Sequence, residues 1–181
     1  AYYATQSHDY DDYFAEEWDT LIIADACRHD LFESVLTESS LSGTLETRTS
    51  PGGATPEFVK KMFRGRDLKD TVYVTGNPFG SVRLQENPFH ERIELWKTHC
   101  DEKAGTVLPE TIVKNALQAR NRYPKKRILV HALQPHVPFV NSSINENFYI
   151  AGRKYGRSAV RDAYRANLEY LFPALKRLCE E

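Results

Sequence analysis

The sequence predicts an α/β protein: a three-layer α/β/α sandwich on a mostly parallel sheet. Two patterns predict it. Apolar runs of strand length recur along the chain, and between them apolar residues repeat at helical spacing. The run Leu21-Ile22-Ile23-Ala24 is apolar without alternation, as in a strand covered on both faces. Residues 71–75 and 127–133 are similar β-rich runs. Between them, Leu31, Phe32, Val35 and Leu36, then Phe58, Val59, Met62 and Phe63, then Ile112, Val113, Ala116 and Leu117 recur at helical intervals. Strands alternating with helices imply parallel pairing through crossover helices.

In chain order, residues 1–17 are rich in Tyr, Asp and Glu, lack a period and form an expected irregular arm; residues 18–181 form the domain. A strand over residues 20–25 leads into the first helix. Residues 38–54 carry Ser, Gly and Thr and read as loop, with a short strand near 44–48. Thr55-Pro56-Glu57 then reads as a helix start: Thr caps, Pro suits the first helical position, and Glu favours the positive end of the helix dipole. The strand over 71–75 is closed by Gly76-Asn77-Pro78. Residues 86–99 are expected to be partly helical, and Pro109-Glu110 opens a clearer helix. The strand over 127–133 runs into Gln134-Pro135-His136-Val137-Pro138-Phe139, expected as loop, followed by a polar stretch over 140–156. In the last helix Val160, Tyr164, Leu168, Leu171, Leu175 and Leu178 share a face, and Pro173 is expected to kink or interrupt it.

Composition narrows the function. A length of 181 residues suits one domain with a substantial core. The formal charge of -1 lacks the basic excess of a nucleic-acid-binding protein, so no nucleic-acid partner is expected. No apolar run reaches the roughly 18 residues of a membrane span, and the N-terminus has no signal pattern, so a cytoplasmic location is expected. The three cysteines, Cys27, Cys100 and Cys179, are odd in number and form no CxxC pair, which argues for reduced thiols rather than a disulfide or zinc framework. Oligomeric state leaves no trace in the sequence.

The residues able to carry chemistry sit at strand ends and loops. Asp25 ends the first apolar run, where parallel sheets place ligands; it is either a hard metal ligand or an N-cap for the next helix. Arg28 and Asp30 follow, as orienting partners of Asp25 or as a surface ion pair. Ser50-Pro51-Gly52-Gly53-Ala54-Thr55 is a Gly-rich loop feeding a helix, able to offer backbone N–H groups to an oxyanion and a hydroxyl as nucleophile. Thr55 and Ser50 are the candidate hydroxyls, and Gly52 and Gly53 the candidate oxyanion contacts. His136, held between two prolines, can donate to an ester oxygen, act as acid or base, or bind metal. His131 lies inside its strand and reads as a satisfied core histidine.

With these residues in view, the chain resembles a known family. The segment from Trp18 through Asp25 to Asp30 resembles the opening strand of archaeal and bacterial sulfatase-like proteins of the alkaline phosphatase superfamily. Ser50-Pro51-Gly52-Gly53-Ala54-Thr55-Pro56-Glu57-Phe58 resembles their nucleophile loop, residues 70–78 their next strand, and residues 134–139 the segment whose histidine contacts the substrate oxyanion. The resemblance runs from Trp18 to the end of the chain. It implies an alkaline-phosphatase-like fold and a metal-dependent hydrolase or transferase of sulfate or phosphate esters, on a small molecule or glycan. Asp25 would be the first ligand of a divalent metal (Zn, Ca, Mg or Mn), a hydroxyl in residues 50–55 the covalent nucleophile, and His136 the contact to the transferred group. Two features depart from the pattern. Gly53 stands where a Ser or Thr is expected, and no Asp-His dipeptide supplies the superfamily's further ligands. The domain is therefore expected to be incomplete at its C-terminus; the other reading is a catalytically degenerate relative that binds or scaffolds.

Overall fold

The computed structural model describes residues 10–181 apart from Arg83 and Gln85, so the first nine residues of the expected arm lie outside the described ones. Strands β1 (Thr20–Asp25), β2 (Leu68–Thr75), β3 (Phe89–Glu94) and β4 (Arg127–Pro135) form one sheet in the order β1-β4-β2-β3. Every pairing is parallel. The helices are α1 (His29–Glu38), α2 (Thr55–Phe63), the short α3 (Phe79–Val82), α4 (Pro109–Arg122), α5 (Phe148–Tyr155) and α6 (Arg157–Glu180).

Strand alternation divides the core between the two sheet faces. Val72, Val74, Ile128, Val130 and Ala132 turn to one side and meet α1, α4, α5 and α6. Tyr73 and Leu129 turn to the other side, where they pack with Val59, Met62 and Phe63 of α2 and with Phe89. Phe63 makes edge contacts with Tyr73 and Phe89 at 5.5 and 5.2 Å between ring centres. Tyr10, Tyr13 and Phe14 cover this second core, so the described part of the arm is packed onto the domain.

Several expectations need correction. Residues 89–94 form a strand where partial helix was expected. Their charges suit an edge position, and pairing with β2 overrides the weak helical pattern. β4 continues through Gln134 and Pro135, expected as loop; Pro135 ends the strand at a register shift, where a missing N–H is tolerated. No strand forms over 44–48. The polar stretch contains α5, started by the Asn147 side chain accepting from the Ile150 N–H. Pro173 does not interrupt α6, which runs through it with the proline on the exposed face. β1 is packed on both faces and occupies a sheet end, with β4 its strand partner among the described residues. No helix among the described residues is long and apolar enough to cross a membrane.

Candidate functional site

In an all-parallel sheet every strand delivers its C-terminal residue to the same end of the molecule. Asp25 closes β1 there, Asn77 follows β2, and His136 follows β4. The Gly76 N–H donates to the His131 carbonyl over 2.9 Å, joining the ends of β2 and β4. After Asp25 the chain turns sharply through Ala26, which adopts φ 57°. Tyr164 of α6 fixes that turn: its hydroxyl donates to the Ala26 carbonyl at 2.8 Å and accepts from the Arg28 N–H at 2.9 Å.

Asp25 is only 9% exposed, so its charge needs internal partners. The Thr55 hydroxyl donates to both carboxylate oxygens, at 2.8 and 3.0 Å. The Asn77 amide donates to Oδ2 at 2.9 Å. Burial pushes the carboxyl up, but the His131 imidazole, the Thr55 hydroxyl and His136 outweigh it and hold Asp25 below its ordinary range. His131 Nε2 stands 3.8 Å from Oδ1. Its other nitrogen shares a 2.7 Å hydrogen bond with the buried Tyr73 hydroxyl. His131 is therefore a satisfied core histidine as expected, and it also backs the site.

These contacts decide two alternatives left open by the sequence. Asp25 does not cap α1, whose N-cap is Arg28. Thr55 does not cap α2 either: the cap position is Ala54, and Thr55 is the first helical residue, with Pro56 second. Its hydroxyl is thus free of helix duty and turned to Asp25. Ser50 is different. It is exposed, and its hydroxyl donates to the Gly52 carbonyl at 2.8 Å, shaping the turn. Gly52 lets the loop fold back onto the helix, since a Cβ there would collide with the Phe58 backbone. The Gly53 N–H already holds an anion, the Glu57 carboxylate, at 3.1 Å.

His136 keeps one nitrogen occupied. A carbonyl only accepts, so the 2.8 Å contact to the Val137 oxygen makes Nδ1 the donor and leaves Nε2 for the site. Asn167 of α6, fully buried, donates to the Pro135 and His136 carbonyls and accepts from the Val140 N–H, which fixes this loop. Asp25, Ser50, Gly52, Gly53, Thr55 and His136 all line one cavity of about 830 Å³. The cavity continues along β1 past Ile23 and Leu21.

Cys27 also lines it, but burial pushes its thiol up to about 11 despite a Tyr164 hydrogen bond, with the Asp30 charge adding to the rise. It stays protonated at neutral pH and is a poor nucleophile. All three cysteines are free thiols. Arg28 and Asp30 form an exposed ion pair, 2.9 Å apart, rather than partners of Asp25. The sequence reasoning missed Asn77 and Asn167. Asn77 carried a signal, since it follows a strand end just as Asp25 closes one; Asn167 lies within a helix and carried none.

A metal would find two hard oxygens here. Asp25 Oδ1 and Thr55 Oγ1 are 2.8 Å apart, near the edge of about 3.0 Å in an octahedral shell of roughly 2.1 Å radius. Among the described residues no cluster of three His, Cys, Asp or Glu side chains could complete a metal site. No family model, no curated protein and no solved structure matches the chain.

Proposed function

We propose that this chain carries the nucleophile half of a metal-dependent site that hydrolyses or transfers phosphate or sulfate esters of small molecules or glycans. One observation carries it: the Thr55 hydroxyl donates to both oxygens of the buried Asp25 carboxylate inside the cavity that His136 also lines. A hydroxyl aimed at a carboxylate, at the positive end of a helix, suits attack on an electron-poor phosphorus or sulfur. The resemblance to sulfatase-like proteins of the alkaline phosphatase superfamily points the same way, and the proposal extends to an alkaline-phosphatase-like fold.

Asp25 and Thr55 would hold a divalent cation (Zn, Ca, Mg or Mn) through their oxygens, with its remaining ligands from outside the described residues. Such an ion lowers the pKa of a hydroxyl and neutralises charge developing on an ester. Thr55 Oγ1 gives up its proton to solvent water and forms the new bond to phosphorus or sulfur, while the ester oxygen leaves with the bonding electron pair and takes a proton from water. Asp25 orients the hydroxyl before attack, and Asn77 holds Asp25. In its doubly protonated form His136 would donate from Nε2 to an oxygen of the transferred group. Water, or a second alcohol, then releases that group from Thr55.

Turnover of 4-nitrophenyl phosphate and 4-nitrophenyl sulfate, with each of the four metals in turn, tests this in a protein that also supplies the remaining metal ligands, since this half-site alone is expected to be inactive. Metal-dependent activity is expected, reduced about a thousandfold or more in Thr55→Ala and largely kept in Thr55→Ser. Activity that survives Thr55→Ala would remove Thr55 from the nucleophile role.

A second reading, a degenerate relative that binds or scaffolds, is favoured by one observation. Gly53 brings no hydroxyl, and its N–H is held by Glu57 instead of being open to a substrate oxygen. No turnover with any of these metals, together with retained phosphate binding, would favour it.

A further inference from the structure

A second groove, of about 390 Å³, adjoins the cavity and shares Ala26, Arg28 and Phe148 with it. Its floor is apolar, from Leu31 and Val160, and its polar wall is Arg28, Asp30, Arg157 and Arg161. Three guanidinium groups therefore face one carboxylate, in a protein whose overall charge is -1. Asp30 is committed to Arg28 by a two-pronged contact of 2.9 and 3.1 Å. Arg157 and Arg161 make no ion pair within 4 Å among the described residues, although Arg161 also acts on the Asp30 charge from farther away.

The position of these two arginines is electrostatically unfavourable as it stands. Arg157 opens α6, a helix of 24 residues whose first turn contains no acidic side chain and whose cap, Gly156, provides no side-chain acceptor, and Arg161 follows one turn later. The positive end of a helix disfavours cations. Spaced four apart, the two side chains share a helix face, where like charges repel. An anion in the groove would satisfy the guanidinium donors and offset both effects. Arg28 and Phe148 belong to both spaces, so one molecule can reach from Thr55 into the groove.

We propose that this groove holds a second oxyanion, a sulfate or phosphate on the same substrate as the ester at Thr55, so that the preferred substrates are polyanionic. The inference rests on the ester-cleavage reading for the link between the two anions; the groove itself is tested separately. Arg157 and Arg161 set specificity and take no part in bond breaking.

Sucrose octasulfate serves as the polyanionic probe in calorimetry with the intact chain. Arg157→Gln/Arg161→Gln is expected to weaken its binding about tenfold or more. Arg157→Lys/Arg161→Lys should stay within about threefold. Removing equal charge elsewhere, in Lys103→Gln/Lys125→Gln, should change binding less than twofold. No saturable binding to the intact chain, or equal losses in the groove and control variants, would overturn the proposal. Thr55→Ala separates the two readings, because it should retain octasulfate binding while losing ester turnover. Groove-dependent binding without Thr55-dependent turnover leaves the anion site standing and removes the ester chemistry; the converse result removes the groove.

Discussion

Asp25 keeps its charge inside the protein because donors surround it, the Thr55 hydroxyl and the Asn77 amide above all. Its carboxyl titrates below the ordinary value of about 3.9, so folding favours the ionised form. That contribution is complete above the unfolded value and is lost as the pH falls through the lower folded one. Asp25→Asn should therefore lower the melting temperature at pH 7, by the equivalent of roughly 1–3 kcal/mol. The gap from the parent protein should narrow toward pH 3, with both melts recorded in chelator. A gap that widens on acidification would contradict this account. Sequence alone left Thr55 and Ser50 as rival hydroxyls, because both lie in one short polar loop. The choice falls to Thr55 only when α2 carries that side chain to the tip of β1, a contact between residues 30 positions apart.

The loop entering α2 shows how an element sets a site. Gly52 lies where any Cβ would meet the Phe58 backbone, while a Cβ on Gly53 would meet nothing within 4 Å. Gly52→Ala should cost roughly 1–3 kcal/mol and displace Thr55, seen as a lower denaturation midpoint. Gly53→Ser should leave stability within about 0.5 kcal/mol, and it restores the hydroxyl that the resemblance leads one to expect. The helix α6 offers a second test. Pro173 sits on its exposed face and breaks one backbone hydrogen bond. Pro173→Ala should stabilise the protein by roughly 1–3 kcal/mol, measured by chemical denaturation. Helices with a strong apolar period, α1, α2, α4 and α6, were legible in the sequence. The strand β3 was not, because Phe89-His90-Glu91-Arg92-Ile93-Glu94 is mostly charged and gains its strand conformation from pairing with β2.

At the scale of the whole molecule, the sheet ends on an apolar strand whose outer edge carries no strand partner among the described residues. Leu21, Ile22 and Ile23 are half-buried there, and β4 is the partner of β1 among the described residues. Such an edge is a template for pairing with another chain. Concentration-dependent self-association is expected in light scattering, and Leu21→Lys should reduce it while the circular dichroism spectrum is kept. Association unchanged by a charge on this edge would point to another surface. The sequence by itself determined the α/β class, because unalternating apolar runs and helical periods are local patterns set by burial. It also marked Asp25, the loop through Thr55 and His136, since strand ends and proline-flanked loops can be read locally. Only the tertiary structure decided which hydroxyl faces the carboxylate, that Asn77 and Asn167 hold the site together, and that the arginine capping α1 shares one groove with two arginines of α6. Those facts depend on contacts between residues far apart in the chain, whose partners are chosen by packing rather than by neighbouring residues.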